Sequence, residues 1–160
     1  MHAEGTQHSL ESILQQEVRC SQRLLACLDA ERSALNQRDM QLLETTTQEK
    51  IQYTQQLEDL EQQRESLVTS LGFANDSEGL RRCFRSFSQA DTLTDLWHQV
   101  LSNIKSARDG NLANGGILES SRQHAEQALR MLRGQSGAPS VYNPEGDTSA
   151  NLGQRDLGKV

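Results

Sequence analysis

Three cysteines and four histidines are the side chains of this 160-residue chain best suited to hold a metal or act as a nucleophile. Their spacing supports neither use. Cys20 and Cys27 are seven residues apart and could share one helix face, but Cys83 lies far along the chain. His98 and His124 stand about seven helical turns apart and cannot converge. Neither Cys-x-x-Cys nor His-x-x-x-His occurs, and zinc sites rely on close pairs of that kind. The nucleophile elbow, the zincin helix, the dinucleotide fingerprint and the phosphate loop are missing too. Acidic residues are plentiful but scattered over what should be helix surface. The prediction is a non-enzyme with no metal and no cofactor, whose cysteines are half-buried thiols.

The informative polar residues lie on apolar stripes. From Leu43 to Leu71 one stripe takes every third or fourth position: Leu43, Thr46, Lys50, Tyr53, Leu57, Leu60, Arg64, Leu67, Leu71. A second runs through Leu93, Trp97, Val100, Ile104, Ala107, Asn111, Asn114, Leu118, Ser121, Ala125, Ala128 and Leu132. Such steps draw a seam down one side of a helix. Lys50 and Arg64 are expected to snorkel, with packed stems and hydrated charges. Asn111 and Asn114 fit two readings, a buried amide that fixes register or a seam left open for a partner. The strip Ile117, Leu118, Ala125, Ala128, Leu129, Leu132 likewise reads as bundle core or as a face that docks another helix.

These seams need rods to carry them. The first helix is predicted over 9–36, with Ser9 as N-cap and an apolar face of Leu10, Ile13, Leu14, Leu24, Leu25, Leu28 and Leu35 that is interrupted near Glu17 and Ser21. Asn36–Asp39 is the expected turn and Asp39 the next cap. No Gly or Pro enforces that break, so a single rod of about 90 Å from Leu10 to Leu71 is the alternative to a hairpin. The second helix spans 39–71 and closes at Gly72, with Phe73 folding back on its last turn. A short helix follows over 77–88, presenting Leu80, Phe84 and Phe87. The last long helix, 92–133, opens on a Thr92–Asp95 capping box and ends at Gly134. Asn114-Gly115-Gly116 weakens it, each glycine by about 1 kcal/mol relative to alanine, as a kink or as a true break.

The predicted fold is therefore all-α: an elongated antiparallel bundle of three long helices and one short one over 1–133, with a flexible tail over 134–160. The tail is rich in Gly and Pro, and its apolar residues are isolated. Only 34% of the chain is apolar, which suits a narrow bundle core better than a layered globule. A net charge of −6 without a Lys/Arg run disfavours nucleic acid and anionic membrane as partners. There is no span-length apolar run and no basic-then-apolar leader pattern. With three unpaired-looking cysteines, this predicts a reducing cytoplasm.

Leu28, Glu31, Leu35, Arg38-Asp39, Lys50, Leu57, Leu60 and Arg64 resemble, in order, the first hairpin of the FlgN family of flagellar export chaperones. Leu71-Gly72-Phe73, Gly79-Leu80 and Leu96-Trp97 follow in sequence. Asn111–Leu118 is similar to the family's Asn-x-x-Asn-Gly signature, apart from the second glycine at Gly116. Leu129-x-x-Leu132-Arg133-Gly134 and Tyr142-x-x-x-Gly146 complete a likeness that covers roughly residues 10 to 160. The resemblance implies a cytoplasmic chaperone of the hook-associated proteins FlgK and FlgL. It would bind their helical C-terminal segments, prevent early assembly and deliver them to the export gate of the flagellar type III apparatus. By position it assigns Leu118, Ala125, Leu129 and Leu132 to the docking strip, and Tyr142 to a tail contact toward cargo or gate. The reading from periodicity alone is a non-secretory coiled-coil adaptor or structural dimer.

Overall fold

A computed structural model describes residues 2–134, with side chains from Gly5 onward. The described residues form four helices and no strand: α1 (His2–Gln37), α2 (Met40–Ser70), α3 (Ser77–Arg85) and α4 (Ala90–Leu132). The chain divides into two compact units, residues 1–121 and 122–160. The expected tail lies outside the described residues from 135 on.

α1 begins well before Ser9. The serine is not a cap; its hydroxyl donates to the Gly5 carbonyl at 2.9 Å inside the helix. Two residues earlier Gln7 accepts from the Ser88 hydroxyl at 3.0 Å, a tertiary tie that local cap letters do not encode. α1 and α2 form a hairpin rather than one rod. Arg38 takes a left-handed φ of 57°, and Asp39 N donates to Ala34 O at 3.0 Å, closing α1 in the six-to-one pattern that glycine usually serves. Asp39 then caps α2, accepting from Leu42 N at 3.0 Å. An arginine in this conformation costs about 1–2 kcal/mol, which packing of the hairpin must offset.

α2 ends as expected. Gly72 has φ 83°, Gly72 N reaches Thr69 O at 2.9 Å and Phe73 N reaches Val68 O at 3.2 Å. Phe73 returns to the core. Asp76 caps α3 through Gly79 N at 2.6 Å. Gly79 is required there because a Cβ would fall 2.0 Å from the Ala74 carbonyl oxygen. α4 starts two residues before Thr92, with Leu93 N bonded to Gln89 O at 3.1 Å. The Thr92–Asp95 capping box is thus replaced by a first turn already under way. α4 continues through Gly115 and Gly116 without a break. It closes at Gly134, φ 69°.

The core of the first unit has two apolar parts. One gathers Leu10, Leu14, Val68, Leu80, Cys83, Phe84 and Leu93, so all four helices meet in it. The other is smaller: Leu24, Leu28 and Ala107, backed by Leu25, Tyr53 and Leu57. Polar and charged residues are buried as well: Glu17, Ser21, Glu31, Thr46, Arg64 and Asn114. Among the described residues no buried side-chain nitrogen or oxygen lacks a hydrogen-bond partner. The interruptions of α1's face at Glu17 and Ser21 therefore face inward and are paired there.

Candidate docking surface

The polar core explains why α4's seam behaves as it does. Leu93, Val100, Ala107 and Asn114, each seven residues on from the last, are all buried. Leu93, Val100 and Ala107 contribute apolar surface, whereas Asn114 is held by bonds. Its Nδ2 donates to Leu28 O at 2.9 Å and to Glu31 Oε2 at 2.8 Å, and its Oδ1 accepts from Arg32 Nε at 3.1 Å. Glu31 also accepts from Lys50 Nζ at 2.6 Å, and Lys50 reaches Asn111 Oδ1 at 3.3 Å. The two asparagines part ways: Asn114 is the buried register amide, and Asn111 is exposed at the edge of the same network.

A second polar contact set corrects the snorkelling expectation. Arg64 is buried, with Nε 3.1 and 3.2 Å from the two Glu17 oxygens. Its guanidinium sits 4.5 Å from the Trp97 ring centroid. The charge is neutralised in the interior and does not reach water. Lys50 is only half-buried, but its ammonium is likewise engaged by Glu31. Desolvation raises the pKa of Glu17 above the usual carboxylate range, although the Arg64 charge and hydrogen bond pull it down. Ser21 completes the set, accepting from Asn103 Nδ2 at 3.0 Å.

Burial pushes all three thiols up from their ordinary values. Cys27 donates to Thr46 O at 3.0 Å and Cys20 to Tyr53 O at 3.5 Å. All three thiols are buried, not half-buried as expected. Among the described residues no group of three His, Cys, Asp or Glu is placed to hold a metal ion, and no helix is long and apolar enough to cross a membrane.

Beyond Asn114 the seam letters are apolar apart from Ser121, but they are no longer buried. In the first unit Leu118 is 56% exposed. In the second unit Ala125, Ala128, Leu129 and Leu132 are all exposed, the two leucines at 50% and 84%. Ala125, Leu129 and Leu132 are four and three residues apart and share one helix face. Glu126, on the same turns, pairs with Arg122. Five exposed apolar side chains among the described residues escaped the stripe-based reading: Met40, Ile51, Leu101, Leu112 and Met131. All lie off the three-and-four stripes; the bare presence of a large apolar residue away from the seam was the signal to use. Tyr142 lies outside the described residues.

A model of the family described as FlgN protein matches residues 1–150. The chain belongs to the FlgN family. Among curated FlgN-family relatives, the flagella synthesis protein FlgN of Salmonella typhimurium is 28% identical over 133 residues, covering 81% of this chain and 92% of that one. The flagella synthesis protein FlgN of Escherichia coli is 29% identical over 94 residues, covering 59% and 65%. A crystal structure of a flagella synthesis protein FlgN from Pseudomonas aeruginosa superposes with a TM-score of 0.65 at 24% identity, covering 73% of this chain and 91% of that chain. At that identity the likeness speaks for the shared FlgN fold.

Proposed function

We propose that this FlgN-family chain is a cytoplasmic type III export chaperone. It binds the C-terminal helical region of unassembled FlgK and FlgL, prevents premature assembly, and delivers them to the flagellar export gate. The observation that supports this most is the exposed apolar face of α4 in the second unit, on which Ala125, Leu129 and Leu132 stand uncovered; in the first unit Leu118 is exposed too. A helix with that face meets an amphipathic cargo helix in coiled-coil geometry. Leu129 and Leu132 anchor the contact. Covering their exposed parts stabilises the complex by roughly 2–3 kcal/mol, from about 2 kcal/mol per fully buried leucine. Tyr142 adds a tail contact toward cargo or gate.

Co-expression with FlgK or FlgL followed by size-exclusion chromatography tests this. A co-eluting complex is expected, and Leu129→Asp with Leu132→Asp should abolish it while leaving the far-UV helix signal unchanged. Failure of both cargoes to co-elute with the wild-type chain, or undiminished binding by the double variant, would sink the proposal. A stable homodimer that binds neither cargo would favour the adaptor instead.

A further inference from the structure

The first unit carries a groove of about 640 Å³ between α2 and α4, floored by Leu24 and Leu28 of α1. Two side-chain contacts bridge these helices, Arg64 over Trp97 and Lys50 to Asn111. The bridges are 14 residues apart on each helix, so the stretch between them is about 21 Å long at 1.5 Å per residue. That is four helical turns. Between the bridges the walls are mostly apolar, with Leu57 on α2 and Val100 and Ile104 on α4. Ile51 and Leu101 stand at the mouth, 64% and 48% exposed. Neither belongs to the buried core, and both are apolar side chains facing solvent.

The walls differ in charge. On the α2 side the lining cations Lys50 and Arg64 are paired with Glu31 and Glu17, which leaves Glu58 and Glu61 to set the sign of that wall, while Arg108 lines the α4 side. Glu61 leans on Arg64 at 3.7 Å, while Glu58 and Arg108 have no ion-pair partner among the described residues. A helix laid in the groove with its apolar stripe down presents one flank to each wall. Turning it end for end exchanges the flanks, so walls of opposite sign select one direction of docking. Packed there, it would stand where the fourth rod of a four-helix bundle stands.

We propose that the α2–α4 groove is a docking site for an amphipathic α-helix of a partner protein. That helix is about four turns long, with Lys or Arg on the flank facing α2 and Asp or Glu on the flank facing α4. The site is separate from the α4 strip at Leu129 and Leu132 and does not depend on the export reading.

The chain's single tryptophan, Trp97, lines the groove and reports on it directly. The probe is a stapled 16-residue helical peptide without tryptophan, carrying a leucine stripe with lysines on one flank and glutamates on the other. Its control has glutamates on both flanks. Titration of the full chain should give a saturable Trp97 emission change, at least tenfold weaker for the control. Ile51→Asp and Leu101→Asp, both at exposed positions, should each weaken the response at least tenfold with unchanged circular dichroism, whereas Leu132→Asp should not. A nitroxide on one peptide end should quench Trp97 and a nitroxide on the other should not. Glu58→Lys with Arg108→Glu should reverse which end quenches. No saturable response, a response indifferent to both groove variants, one lost in Leu132→Asp, or equal quenching from both ends would overturn the proposal. So would sedimentation showing a wild-type dimer that Leu101→Asp dissociates, since a second copy would then fill the groove.

Discussion

Removing Arg64 breaks a buried ion pair from one side. Its guanidinium meets both oxygens of Glu17 at 3.1 and 3.2 Å and covers the Trp97 ring at 4.5 Å. The two charged side chains are 6% and 3% exposed. Arg64→Met keeps most of the stem but leaves a buried carboxylate alone. Breaking a buried pair from one side costs about 3–5 kcal/mol, and the lost cation–π contact adds about 1 kcal/mol. Replacing both partners, Glu17→Met with Arg64→Met, removes the stranded charge and should return stability to within about 2 kcal/mol of wild type. pH supplies the sharper check. Glu17 is held above the ordinary carboxylate range by desolvation, with Arg64 opposing. Folding thus favours its protonated form, and that contribution is full below the ordinary value and lost as pH rises through the folded one. Without Arg64 the upward displacement grows. The deficit of Arg64→Met relative to wild type should therefore shrink on acidification from pH 7.5 to 5, by at most about 1.4 kcal/mol per pH unit. Urea unfolding followed by circular dichroism at both pH values measures it. A single variant within about 1 kcal/mol of wild type at pH 7.5, or a deficit that does not move with pH, refutes this account of the pair.

Other substitutions probe the helix ends, the Asn114 network and the exposed seam, each by the same unfolding measurement. Gly79→Ala places a methyl 2.0 Å from the Ala74 carbonyl oxygen and should cost at least about 2 kcal/mol, because backbone rather than a side-chain tip must move. Arg38→Gly relieves a left-handed arginine and should be neutral or stabilise by up to about 1 kcal/mol once the added freedom of the unfolded chain is counted. Asn114→Leu deprives Leu28 O, Glu31 and Arg32 of partners and should cost about 1–3 kcal/mol, although leucine is the more apolar residue. Leu118→Ser, at an exposed position, should change stability by less than about 0.5 kcal/mol.

Periodicity and glycines placed the rods, because these signals act over one or two turns, whereas the cap letters at Ser9 and Thr92 misplaced two of the starts. The stripe from Leu43 to Leu71 is the inward face of α2 over most of its length, and the Gly72–Phe73 closure formed as its letters imply. The hairpin stop was harder to read, since Arg38 occupies a conformation that its side chain does not advertise. The polar residues on the seams were ambiguous for a deeper reason. Whether Arg64 faces water or a buried carboxylate depends on Glu17, which belongs to another helix, and no local window contains both. The same holds for the apolar letters of α4. Ala107 and Ala125 are the same residue on the same stripe, yet one is buried and the other exposed. A seam announces that it can be covered. Only the three-dimensional arrangement supplies or withholds the neighbour that covers it, because burial is a relation between distant segments and not a property of either one.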